Sequence, residues 1–152
     1  MKPVATNKKA YHNFHLSQNW ECGIALQGGE VKSIRAGEVN FADSYARVDG
    51  EEIYLYNLHI NPYLQASYMN QDPDRKRKLL LHKKEIERII GFVAQRGFIL
   101  IPTKIYFNKR GFVKVELALG KGKKAYDKRE DIKKRDSERE LKRATMHRFK
   151  GK

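Results

Sequence analysis

Residues 98–119 read FILIPTKIYFNKRGFVKVELAL, in which two apolar runs flank a short polar connection. From Val113 to Leu119 an apolar residue stands at every second position, with Lys114 and Glu116 on the opposite face. Strict alternation of this length predicts a β-strand with one buried face. We predict a second strand at Phe98 to Phe107, joined to the first through residues 108–111.

The alternation stops at Gly120, and charge dominates the remaining sequence. Residues 121–152 contain fourteen Lys or Arg and six Asp or Glu, a net +8 out of the +14 of the chain. Their apolar residues are too sparse for a buried helical face, so we expect this tail to be disordered when free in solution. The strongly basic balance predicts a polyanionic partner, either nucleic acid or an anionic membrane surface.

Several classes of protein are disfavoured by what the sequence lacks. No apolar run reaches the length of a membrane span, and the N-terminus lacks the apolar core of a signal peptide. The single Cys22 excludes an intramolecular disulfide and is predicted to be a buried, inert thiol. The five histidines lack zinc-ligand spacing, and Gly120 to Lys124 lacks the P-loop pattern. We therefore expect a cytoplasmic protein without a metal or cofactor.

The elements upstream of Phe98 follow from periodicity and turn signals. Asp49-Gly50 favours a tight hairpin turn, and Ile86, Ile89 and Ile90 begin a helical apolar face. The predicted order is a basic arm at 1–9, a first strand at 10–26 that is irregular near Gly23, a helix at 30–36, hairpin arms at 45–48 and 52–60, a loop at 61–78 and a helix at 83–96. This order predicts an α+β fold, mainly β, with a small antiparallel barrel over 10–120 and a hinge and tail over 121–152.

Basic clusters fall on predicted loops and strand faces of this one small body, namely Lys8-Lys9, Arg75 to Lys78, Lys104, Lys109-Arg110, Lys114 and Lys121 to Lys124. Together with several tyrosines they favour RNA binding, since single-stranded RNA is recognised through phosphate contacts and aromatic stacking. For any one cluster, a merely solvated basic surface is an equal alternative. The aromatic residues on strands fit the core better, whereas Tyr126 lies among charges in the tail.

Four motifs spread over the chain carry a resemblance to a known family. They are NKKA at 7–10, WECGIALQGGEVKSIRAG at 20–37, RKLLL at 77–81 and GKKAYDKR at 122–129. Together they resemble small protein B, the family of SsrA-binding proteins that partner transfer-messenger RNA (tmRNA) in ribosome rescue. Cys22 departs from the family, which usually has a small Ala there.

The resemblance implies an oligonucleotide-binding-type (OB-type) β-barrel with flanking helices that binds the tRNA-like domain of tmRNA near its elbow. Leu81 is a less certain member of the site because it could be packing, and Glu21 could instead be buried to fix a loop. The implied tmRNA-binding residues are Asn7, Lys8, Lys9, Glu21, Leu81, Lys114, Lys121, Lys123 and Lys124.

The resemblance also implies that the tail enters the decoding centre and the empty mRNA channel of the ribosome, in place of codon–anticodon pairing. Three acid-before-base i, i+4 pairs in the tail would each favour a helix there by roughly 0.2–0.5 kcal/mol. The implied ribosome-binding residues are Tyr126, Asp127, Lys128, Arg129, Lys133, Arg135, Arg139 and Arg143.

We thus expect a monomeric, non-enzymatic RNA adaptor, with tmRNA and small-subunit ribosomal RNA as partners. Alanyl-tRNA synthetase and the elongation factor that delivers aminoacyl-tRNA are further partners to consider. The alternatives are a basic ribosomal or ribosome-associated structural protein, an RNA-modifying or RNA-cleaving enzyme, and a DNA-compacting protein.

Overall fold

The structure is a computed structural model that describes residues 3–62, 72–95, 97–122 and 139. In this part of the chain, nine strands and three helices follow in the order β1 (Ala5–Thr6), α1 (Lys8–Asn13), β2 (Phe14–Ile24), α2 (Gly28–Arg35), β3 (Val39–Asn40), β4 (Tyr45–Asp49), β5 (Glu52–Tyr56), β6 (His59–Ile60), β7 (Arg77–Leu80), α3 (Lys83–Val93), β8 (Phe98–Phe107) and β9 (Val113–Gly122). None of the described helices is long and apolar enough to cross a membrane.

Six of the strands close into an antiparallel barrel. The sheet order is β1-β8-β4-β5-β7-β2-β9, and β8 also pairs with β9, which completes the ring. Closure leaves no open edge between these strands. The register of β8 against β9 shifts between Pro102 and Lys104, so β8 bends and pairs with β4 before the shift and with β1 after it. The predicted mainly β barrel is confirmed.

The inward side chains of the strands fill the barrel. Val113, Val115, Leu117 and Leu119 of β9 are all buried, which confirms the alternation in the sequence. Burial of a side chain such as Leu117 stabilises the fold by about 1.5–3 kcal/mol. Strands β2, β5, β7 and β8 contribute Trp20, Cys22, Ile24, Ile53, Leu55, Leu79, Leu100 and Ile105 to the same core.

Helix α3 packs on this core through Ile86 and Ile89, as its periodicity predicts, whereas Ile90, which the same pattern places on that face, is 36% exposed. The Trp20 and Phe92 rings lie 6.2 Å apart between centroids. A capping box between His82 and Glu85 begins the helix, and it ends at Val93, three residues before the predicted end.

The N-terminal stretch differs from the sequence prediction. Within residues 1–9, β1 pairs with β8 and α1 begins at Lys8, so the described part of the expected arm packs on the barrel. The predicted first strand at 10–26 is helical until Asn13, because Asn7 caps α1 and Ala10 is buried beneath it. The irregularity in β2 lies between Leu16 and Gln18 rather than near Gly23.

Two internal boundaries also differ. Helix α2 begins at Gly28 rather than Glu30, because Gln27 and Glu30 form a capping box that places the two glycines in the first turn. In the second hairpin arm, β5 ends at Tyr56, because Asn57 adopts a left-handed conformation with a φ of 60°. An unbroken strand over 52–60 would place Leu58 and Ile60 on the same face as Tyr54 and Tyr56, but in the structure both are buried in the core.

The C-terminal end of the barrel lies close to the predicted position. Strand β9 continues through Lys121 to Gly122, and the compact unit that contains the barrel ends there. Apart from Arg139, the tail beyond Gly122 lies outside the described residues, so its predicted disorder and its predicted helix are not addressed by the structure.

Candidate nucleic-acid interface

A polar patch covers the outer face of β2, β9 and β8 at one end of the barrel. Lys114 on β9 pairs with Gly23 on β2 and with Tyr106 on β8, and Glu116 pairs in the same way with Glu21 and Lys104. Directly paired residues project from the same face of a sheet. The register therefore assembles Glu21, Lys104, Tyr106, Lys114 and Glu116, which we call the outer patch.

Glu21 is held on the outer patch by Tyr106. The side chain of Glu21 is exposed, and the Tyr106 hydroxyl donates a hydrogen bond of 2.5 Å to its carboxylate. Partial burial raises the pKa of Tyr106, as do the hydrogen bond and charge of Glu21, so the phenol remains a protonated donor near neutral pH. The alternative of a buried Glu21 that fixes a loop is wrong, because the carboxylate faces solvent.

Lys114 contributes the positive charge at the centre of the patch. Its side chain is half-buried, and among the described residues no carboxylate forms an ion pair with it. Lys104, in contrast, lies 4.0 Å from Glu116, whose carboxylate also accepts a 2.7 Å hydrogen bond from the Thr103 hydroxyl. The Lys114 ammonium is thus the patch cation that is available to an external phosphate.

An apolar groove of about 320 Å³ borders Lys114, and sequence reasoning missed it. Leu80 is 51% exposed and Phe112 is 64% exposed on its rim. Gly23 lines the groove without a side chain, and a Cβ at this position would lie only 3.1 Å from the Leu80 Cβ. Phe112 follows Gly111 at the end of the loop between β8 and β9, and this exposed aromatic after a turn glycine was the available signal. An exposed ring beside a lysine suits base stacking next to a phosphate contact.

The N-terminal members of the predicted site separate into two groups. Asn7 is 7% exposed, and its side chain donates to the Pro102 carbonyl at 2.8 Å and accepts from the Ala10 N–H at 3.3 Å. The structure therefore gives Asn7 a packing and capping role. Lys8 and Lys9 are exposed on α1.

The other predicted positions lie away from the outer patch or outside the described residues. Leu81 is half-buried against the core, in agreement with packing, and it also lines a second groove with Ile86 and Ile90. Lys121 is exposed, with its ammonium 5.9 Å from the Phe98 ring centroid. Arg139 is exposed in helical conformation. The remaining predicted residues, Lys123, Lys124, Tyr126, Asp127, Lys128, Arg129, Lys133, Arg135 and Arg143, lie outside the described part of the chain.

The run Arg75 to Lys78 is not the basic loop that the sequence suggested. Arg77 opens strand β7 and is fully buried, with its Nε 2.6 Å from a Glu30 carboxylate oxygen. Arg75 donates to the other Glu30 oxygen, also at 2.6 Å. Two of the four cations therefore neutralise a buried acid inside the fold. The sequence does not reveal this, because Glu30 lies 45 or more positions away.

Cys22 has the inert environment that the sequence predicted. Its thiol is fully buried in the barrel. Burial, followed by the negative charge of Glu85, raises the pKa of Cys22 to about 12, so the thiolate is scarcely populated near neutral pH.

The closed six-stranded antiparallel barrel, with α3 packed on its core and a charged and aromatic outer face, defines a small β-barrel protein with flanking helices, the broad class to which OB-type barrels belong.

Comparison with known proteins gives the family. The family model described as SmpB protein matches residues 4–147, so the chain belongs to the SmpB protein family. The SsrA-binding protein of Thermoanaerobacter pseudethanolicus is 57% identical over 141 residues, which cover 93% of this chain and 90% of that protein. The SsrA-binding protein of Bacillus velezensis is 51% identical over 150 residues, with 99% and 96% covered.

A solved structure agrees with this placement. One of its chains superposes with a TM-score of 0.69 at 55% identity, which covers 82% of this chain and 87% of that one. That structure is described as "tmRNA-SmpB: a journey to the center of the bacterial ribosome".

Proposed function

We propose that this protein binds the tRNA-like domain of tmRNA through the outer patch and brings that RNA to stalled ribosomes. The observation that carries the proposal is the Lys114 ammonium, which has no described ion-pair partner and stands between the Glu21–Tyr106 pair and the exposed Phe112. The names of the relatives, which are SsrA-binding proteins, support the choice of RNA. Its cytoplasmic location would follow from action on ribosomes.

The patch offers three kinds of RNA contact. Lys114 can neutralise a phosphate, and the exposed Glu21 carboxylate can accept from a base amino group or a ribose hydroxyl. Phe112 can stack on an unpaired base. Because Tyr106 fixes the Glu21 carboxylate in advance, less side-chain freedom is lost on binding. These groups bind and orient RNA, and the proposed role is that of an adaptor rather than an enzyme.

The tail is proposed to carry the second part of the function. Tyr126 would stack on ribosomal RNA, and the basic residues from Lys128 to Arg143 would contact the decoding centre and the empty mRNA channel. The support is the sequence itself, in which a net +8 tail carries three acid-before-base i, i+4 pairs. Neutralisation by phosphates would let those pairs bias the tail towards a helix. Alanyl-tRNA synthetase and the elongation factor that delivers aminoacyl-tRNA remain candidate partners of the RNA-bound protein.

The experiment that tests the patch measures the Kd of Glu21→Ala and Lys114→Ala for a transcript of the tRNA-like domain. The Kd of each variant should rise by about tenfold or more, because each substitution removes a contact that involves a charged group. Thermal unfolding should change little, since both side chains lie on the outer face. Matched controls are Glu87→Ala and Lys84→Ala, which remove the same charges from exposed positions on α3. Unchanged Kd values for both patch variants would overturn the assignment.

A further inference from the structure

A further cavity, of about 370 Å³, opens on the same side of the sheet, at the far end of the barrel from the outer patch. It lies between α1, the start of β2, the turn before β4 and the first half of β8. Residues that matter to its chemistry are Lys9, Phe14, Asp43, Ser44, Tyr45 and Ile99. None of them belongs to the outer patch.

Ser44 lines the cavity, and its hydroxyl is buried just beneath the surface without a partner in the described part of the chain. Ser44 is 8% exposed, and its Oγ forms no hydrogen bond with the described residues. The backbone N–H of Ser44 is satisfied by the Phe41 carbonyl at 2.6 Å. A buried hydroxyl without a partner is costly, so a ligand group that hydrogen-bonds to it would offset that cost.

The backbone that presents Ser44 is itself unusual. Ala42, two residues earlier, has a φ of 27°, which L-residues rarely adopt. The Asn40 side chain holds this turn by accepting a 2.8 Å hydrogen bond from the Ala42 N–H. Strained backbone of this kind concentrates at binding sites, where surrounding contacts stabilise it.

The remaining walls suit a nucleotide. Ile99 is 40% exposed, and with Phe14 and Tyr45 it forms an apolar surface that can cover one face of a base. Tyr45 is fixed in turn by stacking on Tyr56, with ring centroids 5.4 Å apart. At the rim, Lys9 offers a cation for phosphate, and Asp43 offers an acceptor for a hydroxyl or amino group.

We propose that this cavity takes one unpaired nucleotide of the bound RNA, and that the Ser44 side chain rotates about χ1 so that its hydroxyl bonds to the ribose 2′-hydroxyl. This proposal rests on the proposed function, because the nucleotide belongs to the RNA held by the outer patch. Ile99 on β8 pairs with Gly120 on β9. Gly120 occupies the same face of β9 as Lys114, which lies six residues earlier on that strand. At about 3.3 Å per residue, the two sites lie about 20 Å apart along that strand, a distance that one folded RNA can span.

The test compares Ser44→Ala with Ser17→Ala in the full chain, using a tRNA-like-domain transcript as the probe. Ser17 lies outside the cavity and donates to the Leu119 carbonyl at 3.4 Å, so Ser17→Ala controls for the loss of a serine hydroxyl elsewhere on the barrel. Ser44→Ala should raise the Kd about fivefold to tenfold, as expected for a lost hydrogen bond. Its unfolding midpoint should stay the same or rise, because an unsatisfied buried hydroxyl is removed. Ser17→Ala should leave the Kd unchanged.

Synthetic RNAs with single 2′-deoxy substitutions then identify the partner group. One deoxy position should weaken binding to the wild-type protein and have no further effect on Ser44→Ala. If Ser44→Ala binds as tightly as wild type while Glu21→Ala binds weakly, the cavity proposal fails and the proposed function stands. If the wild type does not bind the transcript, the proposed function fails. If Ser44→Ala also lowers the unfolding midpoint, the Kd of Ile99→Ala is measured instead. An unchanged Kd for Ile99→Ala would overturn the cavity proposal.

Discussion

Replacement of Glu30 by Ala should destabilise the barrel severely without touching the outer patch. The Glu30 side chain is buried and accepts from two arginines. Arg77 donates through Nε at 2.6 Å, and Arg75 donates through Nη2 at 2.6 Å. These bonds tie α2 to strand β7 and to the residues just before it.

The magnitude depends mainly on what happens to Arg77. Its guanidinium is fully buried and would keep its bonds to the Leu58 carbonyl at 2.6 Å and the Pro73 carbonyl at 3.1 Å, but it would lose its counter-charge. An unpaired buried charge costs about 3–5 kcal/mol. The Arg75 side chain is 25% exposed and can turn to water, so it adds little. We expect Glu30→Ala to lose about 3–4 kcal/mol on this basis, which is a large share of a typical domain stability of about 5–15 kcal/mol.

The assay is equilibrium unfolding in urea, with Glu87→Ala as the exposed Glu control. The double variant with Glu30→Ala and Arg77→Met should be more stable than the sum of the two single losses predicts, by about 1–3 kcal/mol, because the uncompensated charge is gone. A loss below about 1 kcal/mol for Glu30→Ala, or strictly additive losses, would refute the buried ion cluster as a stabilising unit.

Three further predictions concern acid, salt and the tail. Although burial alone would raise the pKa of Glu30, hydrogen bonds from Arg75, the Gln27 N–H and Arg77 lower it below its ordinary 4.5. The ionised Glu30 carboxylate therefore stabilises the fold fully above pH 4.5, and this stabilisation is lost as the pH falls through the folded-state pKa. The free energy of unfolding of Glu30→Gln in urea should accordingly depend less on pH over that acidic range. A plot of the logarithm of the RNA association constant against the logarithm of salt concentration should have a slope of about −3 to −4, as expected if roughly five phosphates are neutralised. A slope near zero would mean that the basic surface is not the binding surface. Truncation after Lys124 should preserve tmRNA binding and abolish peptide tagging in a reconstituted stalled-ribosome assay, whereas undiminished tagging would contradict the proposed role of the tail.

Sequence patterns identified the barrel well because local periodicity and core burial agree in its long strands. The alternation from Val113 to Leu119 is present in β9, and the apolar spacing from Ile86 onward is present in α3 except at the exposed Ile90. Boundaries were less predictable where a single side chain decides them. The Asn7 cap converts the start of the predicted first strand into α1, and the left-handed Asn57 ends β5 early.

The candidate site was predictable in part. Glu21 and Lys114 were chosen by resemblance, and the strand register places them on one face. Tyr106 as the partner of Glu21 could not be foreseen, because the two residues lie 85 positions apart and meet only through the pairing of both strands with β9. The burial of Arg77 reversed its expected role for a similar reason, since its counter-charge comes from α2.

The most direct test of the proposed function is to isolate the protein from cells and sequence the RNA that copurifies with it. The proposal predicts one dominant RNA with a tRNA-like end, strongly depleted when Glu21→Ala and Lys114→Ala are combined. Recovery of bulk ribosomal RNA alone, in equal amounts with the wild type and the double variant, would contradict it.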